Sequence, residues 1–226
     1  MADGVVERRT APPINNVGRG ARSLILSTAS EMEIENSWFT GNDVGLLSAY
    51  GMIRASAGQL RVRNSVFVNN EGNSIQFDDG ATGRVVNCSF VDNEGAGPTI
   101  VTDANAEIVN NLFAFNRSWA ILVSRHAEGS LVRNNLFWDN NGVYSDLVNV
   151  RVLTSDALNN RNNAQQNFTG DPLFVDRENG DFRLGPGSAC VDRAHGAYAP
   201  DVDYDYVARP RGANPDIGAF ESRVDP

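Results

Sequence analysis

Two adjacent carboxylates, Asp78 and Asp79, are the residues of this chain that come closest to an acid and base pair. Glycosidic bonds are hydrolysed by two such groups, one protonating the leaving oxygen while the other activates water or attacks the sugar. Gly80 follows directly, and acidic residues beside glycine are more typical of a turn at the end of a strand. The turn is the favoured interpretation, and no other residue is a catalytic candidate.

Several aspartates near the C-terminus have a spacing that suits a Ca²⁺ site, if the segment forms a loop. They are Asp201, Asp203, Asp205 and Asp216. As an EF-hand loop the run fails, because tyrosine takes the place of the required glycine and glycine takes the place of the final glutamate. In the alternative, the run forms a hydrogen-bonded turn, and Asp216 or Glu221 pairs with an arginine within 209–211. Ca²⁺ is the one cofactor that the sequence suggests.

The composition excludes several classes of chemistry. The chain has 28 acidic and 19 basic residues and a formal net charge of −9, so it is not expected to bind a nucleic-acid backbone. Every basic residue is arginine, which excludes a lysine base or Schiff base. His126 and His195 lie far apart without a neighbouring catalytic motif, so both are interpreted as surface residues. No apolar run is long enough to predict a membrane span.

The two cysteines, Cys88 and Cys190, lie far apart in the sequence. Their number and spacing fit neither a metal site nor a disulfide-dense scaffold. A single disulfide and two free thiols are both open.

A repeat dominates the middle of the chain. Five segments align without gaps on the pattern Asn-x-x-Phe-x-x-Asn, with starts 28, 23, 23 and 24 residues apart. They are 36–42, 64–70, 87–93, 110–116 and 134–140. An aliphatic residue lies two positions before each first Asn, and these residues are Ile34, Val62, Val85, Ile108 and Val132. Such alternation is typical of a β-strand.

Repeats of this length are too short for packed helix pairs, and the spaced leucines of leucine-rich repeats are absent. The sequence instead predicts an all-β solenoid whose coils of two or three short strands stack about 4.8 Å apart. The segment 24–26 would form an earlier coil, giving about six to seven coils in total. A second strand is predicted after each of the first four motifs, with cores at 46–47, 75–77, 99–101 and 120–123.

Equivalent side chains of successive coils should lie over one another, and stacked amides at a bend can satisfy each other's hydrogen bonds. We therefore predict two asparagine ladders with a phenylalanine column between them, all with structural roles. The first ladder is Asn36, Asn64, Asn87, Asn110 and Asn134. The second ladder is Asn42, Asn70, Asn93, Asn116 and Asn140. The column is Phe39, Phe67, Phe90, Phe113 and Phe137.

With these motifs, residues 20–150 resemble the right-handed parallel β-helix superfamily, the architecture of pectate lyase-like proteins. The tail resembles the closing segment of bacterial surface β-helix proteins of the choice-of-anchor Q type. The matching pieces are Asp171-Pro-Leu-Phe-Val-Asp176, Gly180-Asp-Phe-Arg-Leu-Gly-Pro-Gly-Ser188, Asp192, Asp201-x-Asp203, Arg209-Pro-Arg211 and Pro215-Asp-Ile-Gly-Ala-Phe-Glu221. Cys190 departs from that pattern by replacing an aliphatic residue. The resemblance implies a secreted or cell-surface protein, with no reaction common to the group.

The chain is expected to have three parts. Residues 1–23 would be an N-terminal extension or partial coil, 24–150 the coils, and 151–226 the last coils and an irregular C-terminal cap. The cap should cover the open end of the last coil, which otherwise exposes strand edges. An export signal would lie before Met1, and the protein is expected to be extracellular or on the cell surface.

The leading hypothesis is a non-catalytic scaffold for adhesion, surface assembly or carbohydrate binding, with polysaccharides or other surface proteins as partners. One alternative is a polysaccharide lyase or glycoside hydrolase acting on an acidic polysaccharide. Another is a structural subunit that associates end to end through its N-terminal coil. The absence of a convergent catalytic cluster in the sequence favours the scaffold.

Overall fold

The computed structural model describes residues 6–8, 23–45, 51–78, 80–95, 99–124, 127, 129–146 and 151–223. Three sheets of stacked, parallel strands form the body of the molecule. The three sheets are called A, B and C below. Along the chain, each coil contributes one strand to sheet C, then one to sheet A and one to sheet B, and the described residues form six such coils. The predicted fold, a right-handed parallel β-helix, is confirmed. Among the described residues, no helix is long and apolar enough to cross a membrane.

Most strands are short and occupy equivalent places in successive coils. Sheet A contains Val6–Arg8, Ser30–Glu35, Gly58–Arg63, Ala81–Val86, Ala106–Val109, Leu131–Arg133 and Ala164–Gln165. Sheet B contains Trp38–Thr40, Val66–Val68, Ser89–Val91, Leu112–Ala114, Leu136–Trp138 and Phe168–Thr169. Sheet C contains Ile25–Ser27, Ile53–Ala55, Ile75–Phe77, Ile100–Thr102, Trp119–Val123, Gly142–Ser145 and the antiparallel edge strand Arg151–Val152. The predicted second strands correspond to sheet C, except that the core at 46–47 lies outside the described residues.

Two further elements lie beyond this pattern. The helix Ser155–Asn159 is inserted in the sixth coil, between its strands in sheets C and A. A hairpin of Phe174–Asp176 and Asp181–Leu184 follows the last coil, and the 3₁₀-helix Arg177–Asn179 connects its strands. Most of the N-terminal extension lies outside the described residues.

The predicted Phe column is present in the interior. Its five rings pair in register along sheet B, with centroids 4.7 to 5.3 Å apart and planes within 5° to 13° of parallel. Rings at this spacing gain from offset stacking as well as from burial. The column therefore fixes the register of one coil on the next.

The second predicted ladder is also confirmed. In this inner Asn ladder, each Nδ2 donates to the Oδ1 of the equivalent residue in the next coil at 2.8 to 3.0 Å, from Asn42 through to Asn140. Each of these Oδ1 atoms also accepts a backbone N–H of the preceding coil. The buried amides are satisfied without water, so they terminate sheet B at little cost.

The prediction that the asparagines of the first ladder bond mainly to one another is wrong. Its five members, Asn36, Asn64, Asn87, Asn110 and Asn134, have a φ of 46° to 60°. Only Asn110 donates to another member, Asn87, whereas every member donates to a backbone carbonyl of residues 193–218. A left-handed residue at the bend turns its side chain outward, so these residues form an outer Asn column.

A different ladder fills the inside of that corner. Asn111 and Asn135 each follow an outer Asn, and Asn167 follows the left-handed Gln166. Nδ2 to Oδ1 bonds of 3.1 Å link the three. Asn167 continues to Asn159 of the helix at 3.0 Å. At the other end, the backbone N–H of Cys88 donates to Asn111 at 2.9 Å. The amide ladder thus ends where the sequence changes to smaller side chains.

The expected location of the C-terminal cap is also wrong. Residues 171–223, called the C-terminal segment below, pack along the outer face of sheet B instead of over the open end of the last coil. The physical reason is that sheet B strands are apolar on both faces, as in Val66–Val68 and Leu112–Ala114, and such strands must be covered on both. Leu184, Ile217 and Phe220 cover them.

Both cysteines are free and fully buried, and burial raises the pKa of Cys88 and of Cys190 to about 12. Because the thiolate is the reactive species, we expect neither thiol to react with Ellman's reagent at about pH 8 while the protein is folded. Both should react at once in concentrated guanidinium chloride. Rapid labelling of the native protein at Cys190 alone would show that the C-terminal segment detaches readily.

Candidate functional site

The C-terminal aspartates take part in an ion-pair cluster that consists of Asp203, Arg209, Asp216 and Glu221. The side chains of Arg209 and Glu221 are each only 1% exposed, and their charged atoms lie 2.9 Å apart. Arg209 also donates to the backbone carbonyls of Asp216 at 2.8 Å and Gly218 at 2.9 Å. The alternative predicted for this region, an arginine paired with a later carboxylate, is confirmed.

Every carboxylate of the cluster accepts hydrogen bonds from backbone N–H groups. Asp203 accepts from Val207 and Glu221 at 2.8 Å each, and both oxygens of Asp216 accept N–H groups in the same way. Burial raises the pKa of Asp203, Asp216 and Glu221, and burial lowers the pKa of Arg209. Carboxylate oxygens that accept backbone N–H groups are not directed toward a metal cation. The cluster instead joins distant parts of the C-terminal segment.

The four predicted calcium ligands do not meet at one point. Asp203 and Asp216 belong to the cluster, whereas the carboxylate of Asp205 pairs with exposed Arg223 at 2.6 Å. Asp201 is exposed, and its backbone carbonyl accepts from the N–H of Arg209. Within the described ranges, no group of three or more His, Cys, Asp or Glu side chains is arranged to hold a metal ion.

The catalytic candidate Asp78 has two partners on sheet C. Its Oδ2 lies 2.6 Å from Nη2 of Arg54, and its Oδ1 accepts from Nε2 of Gln76 at 2.9 Å. Gln76 in turn accepts the backbone N–H of Gly51 at 2.7 Å. Asp79 and His126 lie outside the described residues. The contacts of Asp78 support the predicted turn and connect two neighbouring coils.

The outer face of sheet A carries charges that are mostly paired across coils. Arg63 bridges Glu33 and Glu35, each at 3.0 Å, and Arg84 lies 2.8 Å from Glu107. An elimination reaction would need a free cationic base beside a carboxylate-bound Ca²⁺. Paired arginines on a face without a metal-ligand group among the described residues do not provide that arrangement.

A polar groove that sequence reasoning missed lies at the corner between sheets B and C. Two adjoining cavities of about 450 Å³ and about 230 Å³ share Asn69, Asp92 and Glu94 and form this corner groove. Their walls come from the residues on either side of the inner Asn ladder. The ladder residue, seventh in the motif, points inward, so the sixth and eighth residues of each coil point outward.

The two outward columns line the groove along the helix axis. The sixth residues, with a φ of 48° to 63°, are Gly41, Asn69, Asp92, Phe115 and Asp139. The eighth residues are Asp43, Glu71, Glu94, Arg117 and Asn141. Parallel bridges connect Asp43 to Glu71 and Glu71 to Glu94, so the polar groups recur at the coil spacing of about 4.8 Å.

Carboxylates dominate the groove. Five of them face two guanidinium groups, those of Arg117 and Arg177. Arg117 is exposed and lies 3.3 Å from Glu94. Arg177 comes from the hairpin, and its Nε donates to Asp92 at 3.0 Å while its Nη2 bonds the other carboxylate oxygen. The hydrogen bond to Asp92 raises the pKa of Arg177, so Arg177 stays charged in the groove.

His195 lies in the C-terminal segment and has a structural contact. Its backbone N–H donates to Oδ1 of Asn110 at 2.8 Å, and its carbonyl accepts from Nδ2 of the same residue at 3.1 Å. Its ring packs edge-on against Tyr198. Both bonds use backbone atoms of His195, so they attach the segment to the outer Asn column and leave the prediction of a surface imidazole unchanged.

The stacked parallel sheets and the amide ladders define the class of protein as a parallel β-helix. Comparison with family models gives the same result: the model described as "right handed beta helix region" matches residues 14–113 and 52–175. Together the two stretches cover more than half of the chain, and the protein belongs to this family. Searches of curated proteins and of solved structures gave no match.

Proposed function

We propose that this protein is a non-catalytic β-helix scaffold that binds an extended neutral or amino-bearing polysaccharide in the corner groove. The observation that carries the proposal is the pair of outward polar columns, which repeat once per coil along two adjoining cavities. A polymer lying along the axis would meet a similar set of groups at each coil.

The groups in the groove suit hydroxyl-rich ligands. Carboxylates accept hydrogen bonds from sugar hydroxyls, whereas Asn69 and Asn141 can both donate and accept. Phe115 also lines this cavity, with its ring against the guanidinium group of Arg177. The coil spacing of about 4.8 Å is close to the advance per residue of an extended glycan, so hydroxyl groups and side chains can remain in register over several coils.

The charge of the groove favours neutral or cationic glycans over acidic ones. Uronate groups would face Asp43, Glu71 and Glu94, and like charges brought together raise the free energy of binding. This argues against the alternative of an enzyme acting on an acidic polysaccharide. The paired state of Asp78 and of the sheet A arginines supports the same conclusion.

We also propose a location outside the cell or on its surface, as the resemblance of the C-terminal segment to anchor-type surface proteins implies. Other surface proteins are compatible partners for such a scaffold. End-to-end association through the N-terminal coil stays a prediction.

The proposal can be tested by calorimetric titration of the protein with three hexamers, those of β-1,4-linked glucosamine, β-1,4-linked N-acetylglucosamine and α-1,4-linked galacturonate. We expect binding of the first two, weak or absent binding of the third, and no release of reducing ends. The double variant Glu71→Gln/Glu94→Gln should bind the glucosamine hexamer about tenfold more weakly, since hydrogen bonds to charged acceptors are lost.

The matched control is Glu31→Gln/Glu107→Gln, which removes the same charge from the outer face of sheet A. This variant should bind like the parent protein. Preferential binding of the galacturonate hexamer, or equal losses in both double variants, would contradict binding in the corner groove.

A further inference from the structure

Among the groove-lining residues, Arg177 is the one that does not belong to the coils. It is located in the 3₁₀-helix of the hairpin, within the C-terminal segment. Its guanidinium group binds both oxygens of Asp92, and its central carbon lies 3.5 Å from the ring centroid of Phe115. The hairpin therefore supplies one wall of a groove that the coils otherwise build.

Phe115 is a second indication that the hairpin forms part of the groove. In the other coils, its place in the motif is taken by Gly, Asn or Asp, residue types that tolerate the left-handed backbone. Phe115 has a φ of 59°, which is costly for an aromatic residue. Its ring contacts Arg177 and lies 6.4 Å from the ring of Phe174 in the hairpin. The coil departs from the repeat where the hairpin meets it.

A chain of ring contacts extends from this point to the ion-pair cluster. Phe174 packs edge-on against Phe182, with centroids 5.4 Å apart, and Phe182 lies 5.8 Å from Trp38 of sheet B. Trp38 contacts Tyr204, and Tyr204 contacts Phe220, next to the buried Glu221. Displacement of the hairpin would therefore disturb packing along the length of the C-terminal segment.

We propose that Arg177 is a ligand-positioning residue of the corner groove, and that ligand binding there is coupled to docking of the C-terminal segment. The coupling rests on the proposed glycan-binding function. A ligand that contacts Arg177 binds more tightly when the C-terminal segment is docked. By thermodynamic linkage, ligand binding then stabilises the docked segment by the same factor. Because Arg177 is a cation, it also limits the preference of the groove for amino sugars.

The first test compares Arg177→Gln with Arg183→Gln, a control that loses a similar pair to Asp181 in the same hairpin but does not line the groove. Arg177→Gln should weaken binding of the N-acetylglucosamine hexamer about fivefold and raise the ratio of glucosamine to N-acetylglucosamine affinity. Arg177→Lys should restore the ratio but only part of the affinity, since lysine cannot form the two-point bond. Arg183→Gln should change neither. Equal losses for both hexamers would reduce Arg177 to a structural role and overturn the positioning claim.

The second test needs no ligand. Amide hydrogen exchange in residues 174–184 should accelerate about fivefold in Asp92→Asn, which changes only the coil side of the pair. The double variant Asp92→Asn/Arg177→Gln should exchange no faster than either single variant. Unchanged exchange in Asp92→Asn would overturn the coupling. Failure of the parent protein to bind any hexamer would instead overturn the proposed function, so the two failures are distinguishable.

Discussion

Phe90→Ala is expected to lower the free energy of unfolding by about 3–5 kcal/mol. Phe90 is fully buried at the middle of the Phe column, with its ring stacked at 4.8 Å on Phe67 and at 4.9 Å on Phe113. Removal of the ring leaves a cavity that two neighbouring coils cannot close without breaking their register. Urea denaturation followed by circular dichroism measures the effect.

Phe90→Leu is the control, since leucine fills much of the same volume. We expect a loss of about 1–2 kcal/mol, which separates cavity formation from ring stacking. If Phe90→Ala unfolds at the same urea concentration as the parent protein, the stacked column does not determine the stability of the coils.

The coils could be predicted from sequence because equivalent residues repeat the same chemistry. A phenylalanine in every motif indicated the interior column, and Asn42 and its equivalents indicated the inner ladder. Local periodicity was sufficient there, since each coil meets only its neighbours.

The first ladder was assigned to the wrong residue because both candidates at that corner are polar. Asn87 and Asn110 are left-handed and point outward, whereas the following residue points inward. Two of the motifs begin with a pair of asparagines, Asn110-Asn111 and Asn134-Asn135. The second Asn of each pair was therefore also a candidate for the ladder. The sequence alone does not say which of two adjacent amides faces the interior at a bend.

The corner groove was missed because its columns have no repeated residue type. Asp43, Glu71 and Arg117 occupy equivalent places in different coils, so a search for identical residues passes over them. The usable signal is positional: the residues on either side of an inward ladder residue must face outward. Arg177 could not be placed in this way, because it reaches the groove through a contact with distant Asp92.

The packing of the C-terminal segment depends on long-range contacts that no local pattern encodes. The sequence did contain one indication, since sheet B strands such as Leu136–Trp138 are apolar throughout. A strand with two apolar faces requires a cover on its outer side. The partner that supplies the cover became clear only from the structure.

Replacement of Arg209 by leucine is expected to cost about 3–5 kcal/mol, because it leaves the carboxylate of Glu221 buried without a counter-charge. The double variant Arg209→Leu/Glu221→Leu should recover part of this loss, since the unpaired charge is removed as well. Arg223→Leu is the control. Its pair with Asp205 is half exposed, and its loss should cost less than about 1 kcal/mol.

The unfolding caused by Arg209→Leu should begin in the C-terminal segment. Arg209 binds the carbonyls of Asp216 and Gly218, and the same two carbonyls accept from Asn87 of the outer Asn column. Without the guanidinium group, these carbonyls lose their partner within the segment and keep only the bonds to Asn87, while the Phe column is untouched. Limited proteolysis should therefore cleave Arg209→Leu within residues 171–223 and leave a folded body of coils with retained β-sheet circular dichroism. Simultaneous loss of the coils and the segment would show instead that the coils depend on this cover for their own stability.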